Sequence, residues 1–150
     1  MTRSWSTAHV APPSLHVAEG LRAAGGGGSM VLQGPASGLP LDCAVERLPD
    51  AALVRVRGEV DLLTAPILRR CLDEAARHDE PVLLDLTAVE YLDASGIHVL
   101  EGFHARHTGR FVIAGSRRPV HRVLEIVKLH EVVPMFPTVE LALEYIRAHG

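Results

Sequence analysis

Apolar residues follow two different periods along the chain from residue 41 onward. Almost continuous apolar runs at Val82–Leu86 and Phe111–Gly115 are typical of strands buried on both faces. The alternating run Leu53–Arg57 predicts a strand with its valines on one face. Between these runs, apolar residues recur at spacings of three and four, which predicts amphipathic helices. Strands and helices therefore alternate, and this order predicts an α/β domain whose strands pair in parallel.

Capping signals place the ends of the predicted helices. Thr64 is predicted to cap the first helix, which runs to about His78, and a second helix opens near Ser95 and closes at Gly109. The last helix is predicted to begin after a Thr138 cap. The side chains predicted to face the core are, in chain order, Leu68, Cys71, Leu72, Ala75, Ile97, Val99, Leu100, Phe103, Val120, Val123, Leu124, Val127, Leu141, Ala142, Tyr145 and Ile146.

Weaker signals mark the edges of the predicted sheet. Asp42–Leu48 alternates weakly before turn residues at positions 49 and 50, which predicts a further strand. Gly58 is predicted to end the strand that begins at Leu53. Val132–Val133 is predicted as a short extended piece before Pro134.

Residues 1–40 show no sustained periodicity. Prolines and the run Gly25–Gly28 interrupt this segment, which cannot bury enough apolar surface to offset an ordering cost of about 1–2 kcal/mol per residue. The glycine run is not followed by the Gly-Lys-Ser/Thr of a phosphate-binding loop. We therefore predict a flexible N-terminal leader over residues 1–40 and a single domain over residues 41–150.

Composition narrows the classes of function. Hydrophobic residues make up 47% of the chain but aromatics only 4%, so the core must be built mainly from aliphatic side chains. The net charge of −3 argues against direct binding of nucleic acid, which needs a dense basic surface. Cys43 and Cys71, in no CxxC arrangement, predict reduced thiols. With no secretory signal and no apolar run long enough to span a bilayer, we expect a cytoplasmic protein without membrane insertion.

Ser95 is the candidate for regulation. It follows a buried strand and opens a helix, where free backbone amides point outward. A phosphate there would add about −1.5 to −2 charges beside the positive end of the helix dipole. We expect the fold to tolerate that charge, whereas a partner docked over the helix would meet a new hydrated anion.

The same residues carry a resemblance to a known family. The run Leu84–Gly96, which contains Asp93-Ala94-Ser95-Gly96, resembles the signature of STAS domains, specifically the bacterial anti-sigma factor antagonists. Gly58–Asp61 with Thr64 is similar to the second strand and following loop of that family. Phe111–Gly115 with the helix Val120–Val127 resembles its fourth strand and third helix. The resemblance covers about residues 42–150.

The resemblance implies both a fold and a mechanism. The fold is a STAS-like α/β fold with a central mixed sheet of roughly four to five strands and about four helices. Ser95 would be phosphorylated by an anti-sigma factor that is also a serine kinase. The unphosphorylated form would bind that anti-sigma factor and free a sigma factor, and a phosphatase of the serine phosphatase type would reset the cycle. The residues implied to bind the partner are Asp61, Thr64, Asp93, Ala94, Ser95, Gly96 and His98.

Two of these positions depart from the family. Ala94 replaces a residue that commonly carries a hydroxyl, which leaves Ser95 as the one acceptor in the motif. His98 is also unusual, and we expect it to influence the choice of partner.

Simpler roles compete with the regulatory ones. Ser95 could be an ordinary first-turn serine, Asp93 could be the cap of the helix, and Asp61 could be a loop acid that shapes a turn. For Asp85, inside an apolar run, we favour a structural role with a hydrogen-bond partner.

Enzymatic and metal-binding interpretations have little support. Glu101, His104 and His107 lie three apart on one predicted helix, but they depart from the His-Glu-x-x-His pattern, so we predict no metal site. Ser95 lacks the Gly-x-Ser-x-Gly elbow of a nucleophile, so we predict no catalytic residues, no cofactor and no enzyme.

Two other functions remain open for the same fold. The chain could be a stable accessory subunit of a membrane transporter ATPase, in which Ser95 would be an interface residue without a phospho-switch. An enzymatic or nucleotide-binding role is the weakest alternative. The basic residues Arg117, Arg118, Arg122 and Lys128 are interpreted as a solvated helix face, with an anionic partner surface as the minority interpretation.

Overall fold

The computed structural model describes residues 16–17, 29–33 and 41–149. Seven strands form one sheet, and four α-helices and a short 3-10 helix complete the described part of the chain. The elements are β1 (His16–Val17), β2 (Ser29–Gln33), β3 (Leu41–Arg47), β4 (Ala52–Val60), α1 (Ala65–Ala75), β5 (Val82–Leu92), α2 (Ala94–Arg106), β6 (Phe111–Ala114), α3 (Arg118–Ile126), the 3-10 helix (Leu129–Glu131), β7 (Met135–Phe136) and α4 (Val139–His149).

The strands lie side by side in the order of the sequence. Pairs from β1 to β4 are antiparallel, and pairs from β4 to β7 are parallel. The carboxyl ends of β4, β5, β6 and β7 therefore meet at one edge, and each is followed there by the start of a helix. This edge, named the carboxyl edge below, is where parallel sheets usually place functional groups.

The core is aliphatic, as the composition predicts. Val82, Leu83, Leu84 and Leu86 of β5 are buried, and every residue of β6 is buried as well. Consecutive residues are buried, so both faces of these central strands are covered, which explains why their sequences are almost continuously apolar. Residues 41–149 hold five strands and four α-helices, which confirms the predicted mixed-sheet α/β fold.

Several local predictions were wrong. Gly58 does not end β4: its φ of 113° accompanies a register shift against β5, and the strand continues to Val60. The extended piece predicted at Val132–Val133 lies instead at Met135–Phe136, because the chain first turns through the 3-10 helix. Leu141 and Val127 are not core residues, since they are 45% and 38% exposed.

Part of the N-terminal segment takes part in the sheet. Ser29–Gln33 pairs with β3, and His16–Val17 pairs with β2, although the sequence predicted no strand before residue 41. The remainder of the predicted leader lies outside the described residues. The division of the chain at residue 41 stays a prediction.

Both cysteines are free and buried. A membrane span would need a longer and more apolar helix than any formed by the described residues.

Candidate functional site

Two loops of the carboxyl edge are joined by the backbone. Val60 and Leu92, the last residues of β4 and β5, are register partners in the parallel pair. The Asp93 amide then donates a hydrogen bond of 3.1 Å to the Val60 carbonyl. The β4–α1 loop (residues 61–64) therefore lies directly beside the start of α2, as the candidate site requires.

Asp93 caps α2. Its carboxylate accepts hydrogen bonds from the Ser95 amide at 2.8 Å and the Gly96 amide at 3.3 Å, while its carbonyl accepts from the Ile97 amide at 3.0 Å. Asp93 has extended backbone angles, as an N-cap residue should. The predicted capping role of Asp93 is confirmed, and it fixes the position of Ser95 as the second residue of the helix.

The Ser95 hydroxyl is available at this helix start. The residue is half-buried, and its neighbours Ala94 and His98 are exposed. Only the backbone amide of Ser95 is held by the cap, and within the described part of the chain its side-chain oxygen has no hydrogen-bond partner. The hydroxyl therefore lies neither inside the core nor on a strand.

Gly96 has a packing role rather than a contact role. The residue is buried, and a Cβ added to it would overlap the Leu92 side chain and lie 2.7 Å from Cγ1 of Val60. Glycine is needed here because α2 approaches the ends of β4 and β5 closely. Its assignment to the partner-binding surface does not fit this burial.

Thr64 is also a structural residue. Its side chain is fully buried; its hydroxyl donates to the Glu59 carbonyl at 2.8 Å and accepts from the Asp61 amide at 2.9 Å. No side-chain cap bond forms at α1, although Thr64 is the N-cap residue. The predicted partner contact by Thr64 is therefore incompatible with its position, because the hydroxyl closes the loop from inside.

Asp61 organises the same loop. Its Oδ1 accepts hydrogen bonds from the Leu63 amide at 2.9 Å and the Thr64 amide at 3.1 Å, and its carbonyl accepts from the Ala65 amide at 2.7 Å. Such bonds are those of an acid that shapes a turn. The residue remains half-buried, so one side of Asp61 still faces the surface.

Sequence reasoning missed an apolar patch beside Ser95. Leu62 is 74% exposed and Leu63 is 67% exposed, at the tip of the loop that Asp61 and Thr64 hold closed. Tyr91, which pairs in register with Glu59, is 52% exposed. The available signal was the Leu62-Leu63 pair itself, since two adjacent leucines between a strand end and a helix cap cannot both face the core. Exposed apolar groups of this kind often mark protein contacts.

Asp85 has the structural role that the sequence predicts. Its Oδ1 accepts hydrogen bonds from the backbone amide and the hydroxyl of Thr87, and its Oδ2 lies 3.8 Å from Nε of Arg55. The bonds satisfy the carboxylate at the point where β5 shifts register against β4. The apolar run therefore tolerates a charge at this position.

His104 and His107 lie at the far end of α2, away from Ser95. His107, the C-cap residue, stacks on Phe103 with the ring centroids 4.2 Å apart. Burial lowers the pKa of the His107 imidazole below its ordinary value, and the neighbouring Arg106 guanidinium lowers it further. Within residues 41–149, no group of three or more His, Cys, Asp and Glu side chains is arranged to hold a metal ion, and this includes Glu101, His104 and His107.

Comparisons with known proteins agree with this geometry. The STAS domain family model matches residues 42–142. The anti-sigma F factor antagonist of Paenibacillus polymyxa is 29% identical over 101 residues, which cover 64% of this chain and 86% of that protein. The anti-sigma-F factor antagonist RsfB of Mycobacterium tuberculosis is 30% identical over 104 residues, which cover 64% and 81% of the two chains.

A solved structure has the same architecture. The crystal structure of an anti-sigma factor antagonist from Mycobacterium paratuberculosis superposes with a TM-score of 0.66 at 27% identity, and the match covers 71% of this chain and 94% of that one. The family match, which spans more than half of the sequence, and the shared fold lead to one conclusion. The chain belongs to the STAS domain family.

Proposed function

We propose that this protein is an anti-sigma factor antagonist whose binding is switched by phosphorylation of Ser95. The names of its relatives from Paenibacillus polymyxa and Mycobacterium tuberculosis, and of the structural neighbour, support the general role. The observation that supports the switch is the half-buried Ser95 hydroxyl, which has no hydrogen-bond partner among the described residues and lies beside an apolar patch.

The proposed contact surface consists of exposed parts of two neighbouring loops and one helix. Leu62 and Leu63 supply apolar area on the β4–α1 loop, and Ser95 and His98 supply the polar side on α2. Asp61 and Asp93 hold these groups in place and present the remaining carboxylate surface, and Ala94 completes the exposed start of α2. A core of apolar contacts with a polar rim is the usual composition of a protein interface.

Phosphorylation would change this surface at its centre. The phosphate would add about −1.5 to −2 charges next to the carboxylate of Asp93, which already accepts from the Ser95 and Gly96 amides. The new anion could not take over both amides without displacing Asp93, so much of its charge would remain in solvent. Burying such a hydrated charge under a partner is costly, and the partner would dissociate.

Other proteins would carry out the phosphorylation and dephosphorylation of Ser95. A serine-kinase anti-sigma factor would transfer the phosphate from ATP to Ser95, and a phosphatase of the serine type would remove it. The protein itself would act as a cytoplasmic substrate and binding partner, without a cofactor or catalytic residues and without direct contact to nucleic acid.

The direct test is phosphate mapping. The full chain is incubated with ATP and a serine-kinase anti-sigma factor from the same organism, and the phosphorylated peptides are identified by mass spectrometry. We expect one phosphate at Ser95 and none on the variant Ser95→Ala, whereas the control Ser116→Ala should be modified as fast as the natural protein. Equal modification of Ser95→Ala would reject Ser95 as the acceptor.

A second experiment tests the apolar patch. The unphosphorylated double variant Leu62→Ser/Leu63→Ser should bind the anti-sigma factor at least about tenfold more weakly, because buried leucines contribute about 1.5–3 kcal/mol each. Leu141→Ser is the matched control, since Leu141 is 45% exposed on α4 and outside the surface. Equal affinity of both variants, measured by calorimetry, would show that the patch is not part of the interface.

A further inference from the structure

A second concave feature lies at the carboxyl edge, between α3 and the connection from β7 to α4. It is a cavity of about 490 Å³, within the size range of small-molecule sites. Its lining residues are Ser116, Arg118, His121, Met135, Phe136 and Pro137. Arg118 and His121 also line an adjoining depression of about 470 Å³, which extends along α3 past Arg122 and Glu125.

One wall of this cavity is apolar and fixed in position. Met135, Phe136 and Pro137 form it, and Met135 and Phe136 are half-buried. The Phe136 carbonyl accepts a hydrogen bond of 2.9 Å from the Gly115 amide, which ties this strand to β6. Behind the wall, the Phe136 ring lies 5.0 Å from the ring of Tyr145 on α4. A flat apolar group in the cavity would therefore meet a preformed surface.

The facing wall is cationic. Arg118 on this wall and Arg122 in the adjoining depression are exposed, and no carboxylate of the described residues forms an ion pair with either guanidinium. The nearest acid on the helix, Glu125, is paired with Nε2 of His121 at 3.2 Å. Nδ1 of the same imidazole lies 3.1 Å from the Ser116 hydroxyl, so the ring is oriented from both sides. The charge left without an internal partner here is positive.

We propose that this cavity binds a small organic anion that carries a flat apolar group next to a carboxylate, sulfonate or phosphate. The apolar group would lie against Phe136 and Met135, and the anionic group would face Arg118, with the Ser116 hydroxyl, held in place by Nδ1 of His121, as a further hydrogen-bond donor. Guanidinium groups are well suited to this role, since they donate two parallel hydrogen bonds to one oxyanion. A purely solvated basic face would have no apolar wall opposite the charges.

This site is separate from the proposed partner-binding surface. It shares no residue with the surface around Ser95, and it lies after β6 and β7 rather than after β4 and β5. Binding at the cavity and binding of an anti-sigma factor can therefore be measured independently, and failure of one proposal leaves the other intact.

The test uses 1-naphthalenesulfonate as the anionic probe and 1-naphthalenesulfonamide as its neutral counterpart. The full ¹⁵N-labelled chain is titrated with each compound, and amide chemical shifts are followed by NMR. We expect saturable shifts at Ser116, His121 and Phe136 with the sulfonate. Arg118→Gln should weaken that binding at least about tenfold, and the sulfonamide should also bind at least about tenfold more weakly to the natural protein, because each change removes a charge-assisted contact.

The controls distinguish binding in the cavity from non-specific binding of an anionic aromatic compound. Arg69→Gln removes an exposed arginine from α1 and should leave the affinity for the sulfonate unchanged. Phe136→Leu should weaken both probes alike, because it reduces the apolar wall without changing charge. The proposal is overturned if Arg118→Gln binds the sulfonate as well as the natural protein does, if the two probes bind equally, or if the shifted amides lie around Leu62 instead.

Discussion

Two helix starts at the carboxyl edge use the same residue types with opposite results. At α1, Asp61 and Thr64 bond to each other and to the backbone, and the Thr64 hydroxyl is fully buried. At α2, Asp93 accepts from the Ser95 and Gly96 amides but does not bond the Ser95 hydroxyl, which stays half-buried without a partner in the described structure. An aspartate followed by a hydroxyl residue thus closes a loop in one case and presents a hydroxyl in the other.

The difference follows from spacing. Thr64 comes three residues after Asp61, so its side chain can turn back into the loop and reach both the Asp61 amide and the Glu59 carbonyl. Ser95 comes two residues after Asp93, already inside the first turn, and Asp93 bonds its backbone amide rather than its hydroxyl. The start of α1 is therefore held rigidly, whereas the Ser95 hydroxyl at the start of α2 is accessible. Variants at the two helix starts should have different effects.

The largest loss of stability is expected at the start of α1, where Thr64 closes the loop. Thr64→Val keeps the shape of the side chain but removes the hydroxyl that bonds the Asp61 amide and the Glu59 carbonyl. We expect the free energy of unfolding to fall by about 2–3 kcal/mol, measured by urea denaturation. Thr108→Val, at an exposed threonine bonded to the His104 carbonyl, is the control and should change it by less than about 1 kcal/mol. Equal effects of the two variants would contradict the structural role of the buried Thr64 hydroxyl.

The second largest effect is expected when a methyl group is added to Gly96, at the start of α2. Gly96→Ala would push against Leu92 and Val60, so we expect a loss of about 1–3 kcal/mol in the free energy of unfolding. The same helix offers a matched control in Gly102, whose added Cβ would meet only the end of the Arg106 side chain at 3.8 Å. Gly102→Ala should raise stability by about 0.5–1 kcal/mol through helix propensity. A stabilising Gly96→Ala would show that α2 lies farther from the sheet.

The smallest expected changes in stability distinguish the capping role of Asp93 from the role of the Ser95 hydroxyl. Asp93→Ala removes the acceptor for two amides and should lower the free energy of unfolding by about 1 kcal/mol. Ser95→Ala removes a hydroxyl that bonds to nothing in the described chain, so stability should stay within about 0.5 kcal/mol. Thermal denaturation of both variants checks this. If Ser95→Ala were the more damaging change, Ser95 would be an ordinary structural serine.

Strong local signals made much of the fold predictable. The apolar runs of β5 and β6 identify central strands because only helices on both faces can cover them. Thr138 was identified correctly as a cap, since its hydroxyl accepts from the Leu141 amide at 3.1 Å. Leu141 was misplaced because helical spacing alone does not show how far the apolar stripe of α4 extends. The strand at Ser29–Gln33 was missed because its pairing with β3 is set by tertiary contacts.

The site was predictable in its position but not in its details. Strand-then-helix order places Ser95 and Asp61 at one edge, and the structure brings their loops together through the Asp93–Val60 hydrogen bond. Burial of Thr64 and Gly96 could not be read from the motif, because it depends on how α1 and α2 pack on the sheet. Residues that shape a motif and residues that touch a partner look alike in a sequence, and only burial separates them.

The central claim is that a negative charge at Ser95 ends partner binding while the fold stays intact. Calorimetric titration of Ser95→Asp and Ser95→Ala with the same serine-kinase anti-sigma factor tests it most directly, together with the unfolding curves of both variants. We predict that Ser95→Asp binds at least about thirtyfold more weakly than Ser95→Ala, since a buried unpaired charge at an interface costs about 2 kcal/mol or more, with nearly equal stabilities. Equal affinities of the two variants would contradict the switch.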